Sequence, residues 1–456
     1  MKTILLTCLL SLSLLGQQQI SWQTKDEILA RIKRPVFAPK EFSILSFGAV
    51  PDGKTKSTEA FRKAIEACSA AGGGTVSVPA GTYLTGAIHL RSNVNLNIAN
   101  GATVLFSTDP ADYLPLVLTR FEGVELMNYS PLIYAYGEKN IAVTGEGVLD
   151  GQGSNEHWWP WKGNKEDGWK QGMPSQKRSR TLLFDMAERS VPVKERLFGE
   201  GHYLRPSFIE PYNCKNILIS GVTFKDSPMW FIHPTLSENI IVENVTVIGY
   251  GPNNDGCDPE SSKDILISGC RFDTGDDCIA IKSGRNADGR RVNVPSENII
   301  IRNCAMKEGH GGVVLGSEIS GSVRNVFVED CTMDSPNLDR ALRFKTNSVR
   351  GGVIENFFAR RITVGQVKEA VVLIDFNYEE GDAGHFTPRM DNIIISDVTA
   401  EQGKYALFLK GYERSPITNM RIENCRFNGM DKPNVIEHVK DLVLTNVMIN
   451  GKTQGK

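Results

Sequence analysis

Lys215-Asn216-Ile217-Leu218-Ile219-Ser220-Gly221-Val222 carries a pattern that the chain repeats along most of its length. Each copy has a polar residue followed by Asn or Asp, a short run of alternating aliphatic residues, a polar turn and a second apolar run. From residue 216 onwards, the Asn or Asp recurs every 22 to 36 residues. The copies begin at Lys139, Lys215, Glu238, Lys263, Glu297, Arg324, Glu355, Asp391, Thr418 and Lys440.

This repeat predicts an all-β fold, a single-stranded parallel β-helix. Alternation with a period of two over so few residues indicates strands, not helices. A repeat of this length cannot bury its own apolar face, so it must stack on its neighbours. The hairpin signals of a β-sandwich, every 8–12 residues, are missing. The repeated Asn or Asp then lies at the same turn of each coil, where it can form a hydrogen-bonded ladder.

Four cysteines, Cys270, Cys304, Cys331 and Cys425, occupy one position of the repeat at which other copies have Val. A position that accepts either Val or Cys is an interior position. We therefore expect mostly reduced thiols in the core. A disulfide framework is the alternative, because an even number of cysteines in an exported chain favours one.

The beginning of the chain predicts export and a cap. Residues 1–16 combine Lys2, an apolar run and a small residue, which is typical of a signal peptide, although a buried helix is the alternative. The run is too short to span a bilayer. Thr58 to Ala71 has apolar residues at helical spacing, as expected of a capping helix. We expect residues 17–456 to form one domain, with a loop insertion at about 154–205, exported to the periplasm or outside the cell.

Composition excludes one class of partner. The 456 residues carry a formal net charge of -2 and are 41% hydrophobic. This balance argues against nucleic-acid binding, and an anionic ligand would need a local cluster of cations.

Three aspartates are the candidate chemical groups. Asp255 and Asp276 are 21 residues apart, close to one coil, so their carboxyl groups are expected to lie about 4.8 Å apart along the stack. For Asp277 to face the same side as Asp276, the chain must bend, which Gly275 permits. Crowded carboxylates raise at least one pKa, and glycoside hydrolysis needs both a protonated and an ionised carboxyl group. Solvated turn residues and a calcium site are the alternatives.

Later residues recur at the spacing of a longer coil and extend this surface. His310 lies 33 residues after Asp277, and Arg343 lies 33 residues after His310. Arg343 and Lys345 are two positions apart on one strand, so they share a face. Two cations beside the aspartates suit a uronate, because Arg pairs with carboxylates through two parallel hydrogen bonds.

These motifs resemble the polygalacturonase family, glycoside hydrolase family 28. The matching segments are Asn253 to Asp258, Gly275 to Cys278, Gly309 to Gly311 and Arg343 to Lys345, in the family's order. The start of the chain, Phe47 to Val50 and Pro79 to Tyr83, is similar to that of many pectin-degrading β-helices. The chain departs from the usual motifs at Asn254, where the family has Thr or Ser, and at Phe344, where it has Ile.

The resemblance implies a right-handed β-helix that hydrolyses α-1,4-galacturonosidic bonds with inversion and without metal or other cofactor. It implies Asp276 as general acid, and Asp255 and Asp277 as the residues that hold and deprotonate the water. His310 would tune or orient the acid. The predicted substrate-binding residues are Arg343, Lys345, Tyr378, Asn253, Trp230 and His233.

Exo-action is the expected mode. The insertion contains Trp158, Trp159, Trp161 and Trp169 together with several cations, and could close one end of a cleft. It resembles bacterial exo-acting relatives, as does the segment Ser227 to Pro234 that contains Trp230 and His233. The expected partner is acidic plant cell-wall polysaccharide, bound by a monomer that does not enter a membrane.

Four alternatives remain open at this point. Two are enzymes of the same family, an endo-polygalacturonase and a rhamnogalacturonan-directed galacturonidase. The others are a calcium-dependent pectate lyase on a similar β-helix and a non-catalytic polysaccharide-binding β-helix, in which the aspartates are turn residues.

Overall fold

The computed structural model describes residues 20–455 and shows the predicted parallel β-helix. The expected signal peptide, residues 1–16, lies outside the described residues. Most coils contribute one short strand to each of three parallel strips, and each strand pairs in parallel with the strand one coil later. The strip that carries the aspartates is called the cleft sheet below. None of the helices in residues 20–455 has the length and apolar character needed to cross a membrane.

The strands fall into these strips and one small hairpin sheet. The first strip consists of Glu41–Ser43, Gly74–Val78, Val94–Ile98, Lys139–Gly145, Lys215–Ser220, Glu238–Glu243, Lys263–Ser268, Ser296–Arg302, Val323–Glu329, Val353–Gln366, Arg389–Gln402, Ile417–Glu423, Val439–Lys440 and Val443–Thr445. The second consists of Asp52–Lys56, Gly81–Thr85, Ala102–Phe106, Val148–Asp150, Thr223–Lys225, Thr246–Gly249, Arg271–Thr274, Ala305–Met306, Thr332–Met333, Arg426–Phe427, Val447–Ile449 and Lys452–Gln454, together with the second halves of Val353–Gln366 and Arg389–Gln402. The cleft sheet consists of Ile88–His89, Ile133–Tyr136, Ile209–Tyr212, Ile279–Ile281, Val313–Leu315, Arg340–Lys345, Ala370–Asp375, Tyr405–Lys410 and Val435–Glu437. The hairpin sheet consists of Val117–Phe121, Val124–Asn128 and Leu197–Phe198.

Helices are few. The α-helices are α1 (Trp22–Arg31), α2 (Thr58–Ala70), α3 (Lys177–Glu188) and α4 (Asn286–Val292), and short 3-10 helices span Ile44–Phe47, Pro110–Tyr113, Trp159–Lys162 and Val193–Glu195. The predicted capping helix is confirmed as α2, which buries Phe61, Ile65 and Cys68 against the first coils. Helix α1 was not predicted from the sequence. It covers outward-facing apolar residues of the first strip, among them Leu218 and Phe358.

The core consists of side chains from equivalent positions of successive coils, which stack in columns. Ile217, Ile240, Ile265 and Ile299 pair in register on successive strands, and all are buried. Full burial of one such aliphatic side chain contributes roughly 1.5–3 kcal/mol relative to exposure. The eight cysteines of residues 20–455 are buried and free, which confirms the prediction for the four in the repeat, Cys270, Cys304, Cys331 and Cys425. The position of these four inside the coils explains why Val and Cys exchange in the repeat.

The predicted ladder is also present. Asn216 Nδ2 donates to Asn140 Oδ1 at 2.7 Å, and Asn239 Nδ2 donates to Asn216 Oδ1 at 2.7 Å. The ladder continues from Asn298 through Asn325 and later coils. These residues have φ values of +52° to +60°, a left-handed conformation that Asn and Asp tolerate better than other non-glycine residues. The amide side chain therefore serves both the turn and the contact between coils.

Candidate active site

Two turns of the backbone, one before Asp255 and one at Gly275, bring the three aspartates together. The backbone N–H of Gly256 donates to the carbonyl oxygen of Asp277 at 2.9 Å, which places Asp255 beside Asp277 in adjacent coils. The predicted bend occurs at Gly275, where a Cβ atom would lie 2.7 Å from the carbonyl oxygen of Gly251. Glycine is thus required here by close approach of the backbone. One carboxylate oxygen from each aspartate lies within 4.8 Å of the other two.

Asn254 holds the first of these turns. It is fully buried, and its Nδ2 donates to the carbonyl oxygens of Ser227 at 3.0 Å and Met229 at 2.9 Å. Its Oδ1 accepts from the backbone N–H of Gly251 at 2.9 Å. The residue that departs from the family motif therefore has a structural task, because it fixes the backbone immediately before Asp255.

Cations face every member of the aspartate cluster. Asp277 is fully buried and accepts from Lys345 Nζ at 2.6 Å and from Arg343 at 3.2 Å. His310 Nδ1 lies 2.9 Å from Asp276 Oδ1. Arg343 and Lys345, the pair predicted to bind a uronate, thus also hold Asp277. Both side chains also line the cavity, so they can contact a bound uronate.

Lys282 is a further cation that the motifs did not single out. Its Nζ lies 3.5 Å from Asp255 Oδ2, 3.5 Å from Asp258 Oδ1 and 3.3 Å from Glu318 Oε2. The strand register shows why Lys282 belongs to the site. Glu260 pairs with Lys282, and the register of the next two strands continues from position 282 to Lys345. Lys282 and Lys345 therefore lie in the same outward-facing column of side chains across the cleft sheet.

The aspartates differ in how readily they ionise. Burial and the charge of Asp276 raise the pKa of Asp255 to about 7. Burial also opposes ionisation of Asp276 and Asp277, but their partners outweigh it. The hydrogen bond and charge of His310 lower the pKa of Asp276, and Lys345 and Arg343 lower that of Asp277. In return, the hydrogen bond to Asp276 raises the pKa of His310 to about 9.

These pKa values indicate which groups of the site carry protons. Near neutral pH, the His310–Asp276 pair holds one proton, because the pKa of His310 is raised to about 9. Burial and the charge of Asp255 raise the pKa of Asp258 well above its usual range. The resemblance implied Asp276 as the general acid; the lowered pKa of Asp276 and the raised pKa of His310 favour His310 as the group that carries this proton before the reaction.

The cavity above the aspartates has a volume of about 260 Å³. This is below the ~300–1,000 Å³ of pockets that enclose drug-sized ligands, so the cavity suits a short piece of a sugar chain. Of the predicted substrate-binding residues, five line it: Asn253, Trp230, Arg343, Lys345 and Tyr378. The prediction for His233 is wrong. It is fully buried, and its Nε2 lies 2.8 Å from Glu260, so it links neighbouring strands of the sheet and cannot reach a substrate.

The insertion closes one end of this cavity, with cations and not with tryptophans. Trp158 is buried in the core, and Trp159 Nε1 donates to the carbonyl oxygen of Ser227 at 3.0 Å. The insertion reaches the cavity instead through Lys162 and Arg180. Lys162 Nζ donates to Asn253 Oδ1 at 2.5 Å, and burial lowers its pKa. Sequence inspection cannot separate packing tryptophans from exposed ones within an irregular loop.

A β-hairpin, together with the insertion, closes the same end of the cavity. Strands Val117–Phe121 and Val124–Asn128 lie over the N-terminal strands of the cleft sheet, where Tyr134 Oη donates to the carbonyl oxygen of Leu118 at 2.6 Å. At the hairpin tip, Glu122 accepts from Arg180 at 2.8 Å. Arg120 is buried beneath and pairs with Glu260 at 3.1 Å. The hairpin and insertion therefore block the cleft on its N-terminal side.

The family assignment follows from a match over the coils that carry the aspartates. The family model described as "Glycosyl hydrolases family 28" matches residues 199–451, more than half of the chain. This chain belongs to glycosyl hydrolase family 28. A second model, "Rhamnogalacturonase A/epimerase, pectate lyase-like", matches residues 42–103. The matched range of this family 28 chain contains the aspartates, His310, Arg343 and Lys345, whereas the hairpin that closes the cleft lies outside both matches.

Individual relatives agree with the assignment. The chain is similar to the crystal structure of a hyperthermoactive exopolygalacturonase from Thermotoga maritima, at 47% identity and a TM-score of 0.93, covering 95% of this chain and 97% of that one. It is 26% identical to an exo-poly-alpha-D-galacturonosidase of Dickeya chrysanthemi, over 91% of this chain and 72% of that protein. It is 30% identical to a probable polygalacturonase of Vitis vinifera, over 84% of this chain and 73% of that protein.

Proposed function

We propose that this family 28 chain hydrolyses α-1,4-galacturonosidic bonds and removes galacturonate from the end of a polygalacturonate-type chain. The observation that carries the proposal is a cavity closed at one end, in which Asp255 and Asp276, with the buried Asp277 beside them, face four cations: Arg343, Lys345, Lys282 and Lys162. A uronate is the sugar whose charge these cations match. The similarity to an exopolygalacturonase over nearly the whole chain supports the same substrate class.

The proposed reaction uses the proton held by the His310–Asp276 pair. Asp276 gives this proton to the glycosidic oxygen as the bond to the anomeric carbon breaks, and His310 restores it. Asp255 and Asp277 hold a water molecule that attacks the anomeric carbon, and one of the two carboxylates takes the proton of that water. Lys345 and Arg343 keep Asp277 ionised, and they contact the uronate beside the cleaved bond.

We propose inversion at the anomeric carbon, and this part needs its own test. The carboxylate oxygens lie within 4.8 Å, closer than the ~6.5–9.5 Å usual for an inverting pair. Three carboxylates differ from a pair, however, because Asp255 and Asp277 can hold the water between them. NMR spectra of the first product settle the outcome. β-Galacturonate as the initial anomer indicates inversion, and α-galacturonate contradicts it.

Exo-action is supported by the wall on the N-terminal side of the cavity. A chain end fits against Lys162 and Arg180, whereas the middle of a polymer would collide with the hairpin and insertion. Time-resolved chromatography of polygalacturonate digests tests this directly. Galacturonate appearing first, with slow loss of viscosity, is expected; an early ladder of oligomers would indicate an endo-enzyme. If galacturonate were released only from rhamnogalacturonan, the substrate would be a decorated pectin and not polygalacturonate.

A calcium-dependent lyase is the second candidate, because three carboxylates within 4.8 Å can hold a metal ion. Four cationic groups already balance these carboxylates in the structure: Lys282, His310, Arg343 and Lys345. This favours hydrolysis. Unsaturated products that absorb in the ultraviolet, together with loss of activity in chelator, would instead identify a lyase.

Export remains a proposal that rests on residues 1–16 and on the polymeric substrate, which is too large to enter a cell intact. N-terminal sequencing of the mature protein from cell fractions tests it. Cleavage near Gly16 and recovery outside the cytoplasm are expected. An intact N-terminus in the cytoplasmic fraction would contradict export.

A further inference from the structure

The outward face of the cleft sheet continues beyond the catalytic residues. Arg343 pairs in register with Leu373 on the next strand, and Leu373 pairs with Phe408 on the strand after that. Lys345 leads in the same way through Asp375 to Lys410. Neighbouring strands are about 4.8 Å apart, so Phe408 lies roughly 10 Å from Arg343 along the sheet. A short run of linked sugars spans such a distance.

This continuation is uncovered. Leu373, Phe408 and Lys410 are partly exposed, and Glu437, which pairs with Lys410 on the last strand of the sheet, is exposed. On the opposite side, Tyr134 and the residue that pairs with it are buried under the hairpin. A polymer whose end occupies the closed cavity can therefore extend only over the C-terminal strands.

Two aromatic rings meet on this open face. The centroids of Tyr405 and Phe408 are 5.4 Å apart with an edge-to-face arrangement. Lys410 Nζ lies 5.3 Å from the centre of Phe408, and Lys404 Nζ lies 5.3 Å from the centre of Tyr405. Large rigid rings with adjacent cations suit a sugar acid, because the ring packs against the pyranose and the cation meets the carboxylate.

We infer that Tyr405, Phe408 and Lys410 form a distal binding site for the part of the polygalacturonate chain that leaves after cleavage. This site is called the C-terminal platform. Lys410 is already 3.2 Å from Glu437, and Asp375 lies beside it in the same column. Stacking on Phe408, with Leu373 beneath the preceding sugar, therefore supplies most of the affinity. The inference rests on the proposed function, since it assigns the position of the same substrate.

The platform predicts a dependence of activity on chain length. A dimer of galacturonate fills the closed cavity and the clamp, whereas longer oligomers also reach the platform. For the unaltered protein, kcat/KM is expected to rise from the dimer to oligomers long enough to reach Phe408. The double variant Tyr405→Ala, Phe408→Ala should lower the ratio of kcat/KM on long oligomers to kcat/KM on the dimer by about 10-fold.

A matched control lies on the same sheet. Tyr136 faces outward in the column that leads to Lys345, is 52% exposed, and lies on the far side of the hairpin wall. Tyr136→Ala should leave the ratio as in the unaltered protein. Phe408→Trp retains an aromatic surface and should preserve the ratio. A preserved ratio in this variant would show that substitution at position 408 does not lower the ratio through misfolding.

The outcomes separate the two proposals. A fall in the ratio with the double variant Tyr405→Ala, Phe408→Ala but not with Tyr136→Ala supports the platform. Normal hydrolysis with an unaltered ratio in the double variant overturns the platform and leaves the proposed function intact. Failure of the unaltered, folded protein to cleave any galacturonate oligomer overturns both.

Discussion

The N-terminal and C-terminal halves of the cleft sheet share one backbone pattern and differ in what covers them. Over the N-terminal strands, the hairpin and insertion bury Tyr134 and bring Lys162 to the cavity. Over the C-terminal strands, Leu373 and Phe408 are partly exposed. A uniform stack of coils thus becomes directional because segments from outside the repeat close one end. The aspartates lie at the boundary between the halves.

The largest expected effect is at that boundary. Asp276→Asn removes the group that passes the proton to the leaving oxygen, and general acid catalysis contributes about 10²–10⁴-fold. The rate of galacturonate release should fall by that factor, while the circular dichroism spectrum stays the same. Asp273→Asn is the control, because Asp273 lies three residues earlier on the adjoining strand and outside the cavity. A near-normal rate in Asp276→Asn would disprove its role as the acid.

Opening the closed half should have the next largest effect. Lys162→Met removes the cation that donates to Asn253 and faces the cavity. A hydrogen bond to a charged group contributes about 1.5–3 kcal/mol, so kcat/KM on short oligomers should fall about 10- to 100-fold. Lys165→Met, an exposed lysine of the same insertion, is the matched control. Equal activities of the two variants would show that the closed end does not hold the sugar acid.

The pH dependence of kcat/KM should reflect the pKa values of Asp255 and His310, which lie where the two halves of the cleft sheet meet. Asp255 must be ionised to accept a proton, and its pKa is raised to about 7. The His310–Asp276 pair must hold a proton, and the pKa of His310 is raised to about 9. A plot of kcat/KM against pH should therefore be bell-shaped, with limbs near these values. His310→Asn should move the alkaline limb to lower pH, because Asp276 loses the group that restores its proton. An alkaline limb that stays in place would exclude His310 from that task.

The smallest expected effect is on stability. The pKa of Asp255 is about 7 in the folded chain and about 3.9 in an unfolded one. As pH rises from about 4 to 7, the unfolded chain releases this proton more readily, so the folded state loses stability. Asp255→Asn removes that penalty. Its Tm should exceed that of the unaltered protein by a few degrees at pH 8, and the difference should shrink at pH 4. A constant difference at both pH values would point to a cause other than ionisation.

Different parts of the molecule were predictable to different degrees. The β-helix, the asparagine ladder, the interior thiols and α2 followed from local patterns, because each coil restates the same constraints on its neighbours. The spacing of Asp255, Asp276 and Asp277 was interpretable for the same reason. His233 was misassigned because its segment crosses from the cavity at Trp230 to the buried layer within three residues. Glu122 was missed, and Lys162 was recognised only as one of several cations in the insertion, because their positions depend on contacts with residues far away in the sequence.

By itself, the sequence determined the stack and the set of groups on its cleft face, since a residue's position in a repeat fixes which way its side chain points. Tertiary structure decided which end of that face is closed and where the protons reside. Both depend on long-range contacts: the hairpin and insertion fold over strands far from them in sequence, and Asp255 takes its raised pKa from burial and from the charge of a residue on the next coil. No local pattern encodes such distances.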